Sequence, residues 1–522
     1  MFIKRIFKPA SFFTDFIIAK RDPLKIQKKI LMKILKQNRK TQYGIKRRFS
    51  KIKSVEDFQK NIPIITYPDI QSEIEKMKRG KKNVLVHDKV LFFATSSGTT
   101  SEPKFIPITK KRMDFHRGEF LLWFRYMLKS NMKIARGKLL YFAGGDLNGY
   151  TNGKIPYGNI SGYLVKNSSK FVKHKLVVDS EILNIQDFNH KMKLIGVKAL
   201  LEKKITQIAF ASAVQAILFF DFLAENKLEL IEEIRKKNKK RAKVLEEFKE
   251  FKPINIWPDL WLINCIKAGV NSIYLEVVKE KIGKKNIVIR DPGILASEGR
   301  VSLGITDLDR AGIIPVNETF FEFCEKKGDV FLDPITVDKL KKKKQYKIIM
   351  TTFEGLYRYD LEDVVEVVSF MEKIPLVRFV SRNKFLNVTE EHAPEGEIVR
   401  GVKNELNKLK IKFRSFTVVP FIIKNKRPRY EILLEVLENV RENVFKKLLK
   451  EIDLNWQKYI LTYAETRNEF GRMDSPILSI VKKGSYDKID SDILTKRGQA
   501  KPVNVTENLD YREKFEIEES YS

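Results

Sequence analysis

The chain has 522 residues, 43% hydrophobic and 11% aromatic, values that exclude a disordered protein and, at this length, a single core. Its 100 Lys and Arg residues against 66 acids leave a net charge of +34, while only Cys265 and Cys324 are present. That pair excludes a disulfide framework and fits a reducing, cytoplasmic setting.

The stretch Met1–Lys20 interleaves Phe and Ile with Lys4, Arg5, Lys8 and Asp15 and lacks a clean apolar centre. It reads as a helix packed on its own protein rather than a signal. Residues 22–85 read as helices joined by polar turns: Ile30, Leu31, Ile34 and Leu35 keep a helical spacing, and Pro63 and Pro68 punctuate the second half of this region. The run Val90–Ala94 suits a buried strand, which then stops in the hydroxyl-rich segment Thr95–Lys104, T-S-S-G-T-T-S-E-P-K. Gly98 lets the backbone approach an anion, and successive N–H and hydroxyl groups can wrap phosphate oxygens. The segment is not a Walker loop, because no second Gly precedes a Lys-Ser/Thr pair, and the same composition also makes an ordinary polar turn.

Six glycines between Ala143 and Gly162 mark a loop or set of loops. The runs 193–203, 205–224 and 226–250 read as helices and alternate with strand-like runs at 286–290, 346–352 and 364–370, which argues α/β layering. The longest mostly apolar run, Ile208–Phe220, has 13 residues. A membrane span needs roughly 20, so this run is expected to be a buried helix and no transmembrane segment is expected. From about Asn383 the character changes: strands such as Phe416–Ile423 and Tyr430–Val436 are separated by helices such as Val440–Ile452. This predicts a small α+β domain of roughly 130 residues.

Several chemistries are excluded. The histidines at 87, 116, 174, 190 and 392 show no zinc-ligand spacing, and neither a G-x-S-x-G elbow nor a helix-opening G-x-G-x-x-G occurs. The basic clusters Lys236–Arg241 and Lys341–Lys344 are short and free of interleaved aromatics. They read as solvated faces, and no specific nucleic-acid partner is expected.

Further segments stand out behind the hydroxyl loop. Gly293–Gly299 carries the single carboxylate Glu298 among small residues, and Thr319–Phe323 brings aromatics suited either to a base or to a core. Asp363 is expected directly before a Val-rich strand, Arg382 closes Phe379–Arg382, and Lys501 lies in the turn Gly498–Pro502. Individually each has an ordinary structural reading, as a turn residue, a packed aromatic or one of many lysines.

Their order is more specific. Ser96–Thr100 with Pro103–Pro107, Trp257–Leu260, Ser297–Arg300, Phe321–Phe323, Leu356–Tyr359 with Asp363–Val365, and Gln499–Pro502 together resemble the auxin-responsive acyl acid–amido synthetase family. That family is a branch of the firefly-luciferase-type adenylate-forming enzymes, and the likeness runs from about Asp22 to Val503. It implies an α/β fold: a large N-terminal adenylate-forming domain (1–384) of layered sheets and helices holding the ATP and acid site, plus a small mobile C-terminal α+β domain (385–522). The implied reaction joins a carboxylic acid to ATP as an acyl-adenylate, releasing pyrophosphate, and then passes the acyl group to an amine, usually of an amino acid.

By the family's pattern Ser96, Ser97, Gly98, Thr99 and Thr100 would cradle the ATP phosphates, Ser297 would contribute to ATP binding, and Glu298 would hold Mg²⁺. Phe320 would stand against adenine, Asp363 and Arg382 would fix the ribose, and Lys501 would stabilise charge as pyrophosphate leaves. Two positions depart from the pattern. Glu362 stands where a Gly commonly precedes the Asp, and Glu390-Glu391-His392 stands where many microbial relatives read Gly-Glu-Lys. An acyl–coenzyme A ligase and an inactive adenylation fold that binds nucleic acid or membrane are the alternative readings. The acid pocket is expected around 110–130 and 205–220, with Phe115, His116, Trp123 and Phe219 as candidates.

Overall fold

Helix Pro23–Asn38 shows how the N-terminal layer is specified: Asp22 caps it by accepting from the Lys25 N–H, Pro23 opens it, and Ile26, Ile30, Leu31, Ile34 and Leu35 are buried. The structure is a computed structural model that describes all residues except 1–9, 96–103, 186, 268–270, 284–285, 306–310, 328–329, 383–384, 387, 389–392, 424–426, 470–472 and 498–502. The chain forms two compact units, one running through Val380 and one beginning at Ser381. Among the described residues no helix is long and apolar enough to cross a membrane.

Among its described residues the first unit holds three sheets. One pairs Val90–Thr95 antiparallel with Phe105–Thr109 and parallel with Pro156–Gly158, which in turn pairs with Gly149–Tyr150. A second sheet is wholly parallel, in the order Lys138–Tyr141, Ile205–Ala209, Leu262–Asn264, Val288–Arg290. Its helices, among them Phe188–Leu201 and Ala213–Glu225, enclose a core around Ile208, Phe219 and Trp257. The third sheet has six strands, with Phe320–Lys327, Gln345–Thr351, Tyr359–Met371 and Ile374–Arg382 adjacent in that order.

Three expectations are corrected here. The run 205–224 is not one helix: Ile205–Ala209 is a strand, and the helix starts at Ala213, where the Ser212 hydroxyl accepts from the Gln215 N–H. Apolar residues covered on both faces give a buried parallel strand no alternation, so it reads like helix. The run 226–250 is split into Lys227–Lys237 and Lys239–Glu246 by Asn238, whose side chain caps the second helix. Asp363 lies inside the strand Tyr359–Met371, not before it.

Among the described residues the second unit has a four-stranded mixed sheet, ordered Phe413–Phe421, Arg429–Val436, Ile477–Val481, Ile517–Tyr521, and a two-stranded antiparallel pairing of Phe385–Leu386 with Ala393–Pro394. Helices Glu395–Lys408 and Glu442–Tyr459 cover one face through Ile398, Val402, Leu448 and Trp456, packed on Ile432 and Leu434. Leu433, between them in the strand, points to the opposite face and packs with Tyr486, Tyr511 and Phe515. A Cβ on Gly401 would lie 2.6 Å from the Trp456 ring, so the bare glycine allows these two helices to approach.

Candidate functional site

The segment carrying Glu298 is a tight turn. Ala296 and Gly299 exchange backbone hydrogen bonds of 3.0 and 3.2 Å, Leu295 bridges Arg300, and Ser297 and Glu298 occupy the tip. The Ser297 hydroxyl donates to the Thr95 carbonyl at 3.4 Å, at the end of the strand that leads into the hydroxyl-rich segment. Thr95 is itself tied down, its hydroxyl donating to the Gly158 carbonyl at 3.1 Å. Glu298 is 9% exposed, and its Oε1 accepts from the Tyr359 hydroxyl at 3.4 Å. Burial, with Glu298 and Glu362 nearby, pushes that phenol far above its ordinary range, so it stays a donor.

The turn rests on the six-stranded sheet: a Cβ on Gly299 would lie 2.7 Å from Met350 Cε. Phe321, Met350 and Tyr359 stand in register on adjacent strands and therefore share the face turned to Glu298. Phe320, the expected adenine contact, is on the other face, fully buried and edge-on to Phe58 with ring centroids 6.0 Å apart. Strand alternation separates the two neighbours.

The strand carrying Tyr359 also carries Asp363, which is buried at 2% exposure. Between them the strand bulges: Ile349 pairs with Asp360 and Lys347 with Val364, four steps on one strand against two on its neighbour. Glu362 stands in this bulge at φ +63°, a left-handed conformation that suits glycine. The departure from the family pattern thus falls where backbone geometry itself favours Gly.

The structure therefore brings Thr95, Ser297, Glu298 and Tyr359 together and keeps Asp363 on the same strand as Tyr359. Ser96, Ser97, Gly98, Thr99, Thr100, Lys501 and Glu390–His392 lie outside the described residues. Arg382 ends the strand Ile374–Arg382, and its side chain is likewise outside the description. No local signal in the sequence singles out the Tyr359 hydroxyl, because its partner is set by the packing of a turn on a sheet.

The acid-pocket candidates take different positions. Phe219 is fully buried against Phe142, centroids 4.6 Å apart. Phe115 is half-buried beside Phe353. Trp123 lines a small cavity with Phe120, Phe124, Leu139, Phe171 and Gln207. His116 is buried with Nδ1 3.0 Å from Glu119 Oε2; since a carboxylate only accepts, Nδ1 carries the hydrogen.

Among the described residues no group of three or more His, Cys, Asp or Glu side chains could hold a metal ion. One buried carboxylate nonetheless fits Mg²⁺, a hard cation that keeps waters and is held through one or two carboxylates plus substrate phosphates. Glu298, anchored by Tyr359 beside the strand end at Thr95, is such a donor.

A three-sheet α/β unit followed by a smaller α+β unit is a fold that the chain shares with solved acyl acid amido synthetases. A solved GH3.15 acyl acid amido synthetase superposes with a TM-score of 0.85 at 20% identity, covering 97% of this chain and 96% of that one. The GH3 family N-terminal, central and C-terminal domains match residues 13–287, 312–382 and 396–508, and the chain belongs to the GH3 family. Among curated relatives, the jasmonoyl–L-amino acid synthetase JAR4 of Nicotiana attenuata is 24% identical over 92% of this chain and 90% of its own length. The indole-3-acetic acid-amido synthetase GH3.2 of Arabidopsis thaliana is 23% identical over 74% of this chain and 78% of its own length.

Proposed function

We propose that this protein is an ATP-dependent acyl acid–amido synthetase: it adenylates a carboxylic acid, releases pyrophosphate, and passes the acyl group to the amine of an amino acid. The observation that carries this reading is the match of all three GH3 family domains, in order, from residue 13 to residue 508. Relatives named for conjugating jasmonic or indole-acetic acid to an amino acid or as an amide support the same reaction type. The two buried, free cysteines accord with a cytoplasmic setting.

The chemistry asks for charge neutralisation and alignment, since a carboxylate must meet a phosphate. Ser96 to Thr100 supply backbone and hydroxyl donors to the phosphates in this reading, and Ser297 braces the Glu298 turn against the strand that delivers them. Glu298 would hold Mg²⁺, and the ion when bound spreads the phosphates' negative charge. Tyr359 holds one oxygen of that carboxylate and fixes its direction. Asp363 and Arg382 are assigned to the ribose hydroxyls. Lys501 is assigned to the charge that develops as pyrophosphate leaves, with residues 1–384 as the adenylation domain and 385–522 as the domain bearing that lysine. Burial of Phe320 against Phe58 argues for leaving it out of the adenine contact in this reading.

The test is carboxylate-dependent exchange of labelled pyrophosphate into ATP across a panel of acids, followed by detection of the amide with added amino acids. At least one acid is expected to support exchange, and Lys501→Ala to lower it about a hundredfold, as when a preorganised charge-stabilising donor is removed. Failure of every acid, or normal exchange by the variant, refutes the mechanism. An acyl–coenzyme A product without an amide would refute the second half-reaction alone.

A further inference from the structure

Arg112, His116 and Glu119 succeed each other at helical spacing on the buried side of helix Lys110–Ser130. The Glu119 side chain is 2% exposed and is approached by three cationic or donor groups. His116 Nδ1 lies 3.0 Å and Arg300 Nε 3.1 Å from Oε2, and Arg112 Nη2 is 3.5 Å from Oε1. Arg112 Nη1 reaches on to Glu318 Oε2 at 3.5 Å, two residues ahead of Phe320. Burial works to raise the Glu119 carboxyl, but His116, Arg112 and Arg300 outweigh it and hold it well below the ordinary carboxylate range. Glu318 goes the other way, pushed well above that range by burial and by Glu119, and is therefore neutral. Glu119 is thus the ionised partner of Arg300.

Arg300 belongs to the same tight turn as Glu298. The other two side-chain anchors of that turn, Ser297 to Thr95 and Tyr359 to Glu298, are both 3.4 Å long. A largely buried, charge-assisted contact at 3.1 Å, with the Arg300 side chain 13% exposed, is the stronger restraint. We infer that Glu119 is a positioning residue: through Arg300 it sets where the Glu298 carboxylate stands, so that helix Lys110–Ser130 controls how well the turn engages Mg²⁺ and phosphate. This role rests on the assignment of Glu298 to Mg²⁺ in the proposed reaction.

The experiment measures ATP binding by calorimetry on the full chain, with Mg²⁺ and with EDTA, in wild type, Glu119→Gln and Arg300→Lys, with thermal unfolding to show that each variant is folded. Wild type is expected to bind ATP more tightly with Mg²⁺. In Glu119→Gln the Mg²⁺ concentration giving half of that gain rises about tenfold, as when a partner that orients a metal ligand is lost. Affinity in EDTA stays at the wild-type value, and excess Mg²⁺ restores binding. Arg300→Lys, which keeps the charge, shifts the Mg²⁺ requirement less and decides the matter if Glu119→Gln does not fold. A folded variant with an unchanged Mg²⁺ requirement, or a loss that excess Mg²⁺ does not restore, overturns the inference while leaving the proposed reaction standing. A wild type with neither an Mg²⁺-dependent gain in ATP affinity nor pyrophosphate exchange overturns both.

Discussion

His116 sits in the interior with its Nδ1 hydrogen on Glu119 and Arg112 and Arg300 nearby, and burial brings its pKa from 6.5 down to about 4. Between those values the unfolded chain binds a proton that the folded protein refuses. Stability is therefore complete above pH 6.5 and is lost as the pH falls toward 4, by about 3 kcal/mol for a gap of roughly 2.5 units. Urea denaturation across this window is expected to show that loss in wild type and a flatter profile in His116→Gln; equal slopes would rule the account out. Glu362 is a second instructive residue. Its left-handed backbone is one that suits glycine, the residue the family pattern led us to expect there, and no reading of side-chain chemistry supplies that. Phe320 and Phe321 make the complementary point: motif position set Phe320 against adenine, whereas strand register buries it on the far face and leaves Phe321 on the face of Glu298.

At the scale of the element, the motif blocks Phe321–Phe323 and Leu356–Tyr359 are joined to each other. Arg358, itself at φ +49°, donates from Nε and Nη2 to both oxygens of Glu322 at 3.0 Å, and from Nη1 to the Gln59 and Ile62 carbonyls. Four hydrogen bonds on one buried guanidinium hold the hairpin between the strands Gln345–Thr351 and Tyr359–Met371 to the helical layer. Glu322→Gln leaves that cation buried without its counter-charge, so it is expected to destabilise the first unit by about 3 kcal/mol. A loss below about 1 kcal/mol in chemical denaturation would argue against this reading. Strands and helices with clear periodicity were legible in the sequence; the buried strand Ile205–Ala209 was not, because covering both faces erases the alternation that identifies a strand.

For the whole molecule, the apolar clusters of the described residues fall within one unit or the other: Phe12 to Val377 on one side, Leu386 to Phe515 on the other. Separate cores favour separate unfolding events. Calorimetry is expected to resolve two transitions, and Trp456→Ala to weaken only the one belonging to the second unit, by about 3–5 kcal/mol. Trp456 is fully buried, with its ring N–H on the Ile398 carbonyl at 3.0 Å. A single transition that shifts as a whole would contradict this. At this scale the sequence was most informative, since the order of the segments Ser96–Thr100, Ser297–Arg300 and Asp363–Val365 along the chain pointed to one family. The Glu119–Arg300 contact was hidden, because mixed charges on a helix look like a solvated face until the packing around them is known.

The bulge before Asp363 also has a parity. A strand edited by an odd number of residues exchanges its inner and outer faces from that point onward. Here the excess is two, four steps against two. The in–out phase survives: Tyr359 before the irregularity, Leu361 and Asp363 within it, and Val365 and Val367 beyond it, are all buried. The strand can therefore gain or lose this pair of residues, and Glu362 with it, while the sheet behind it keeps its phase.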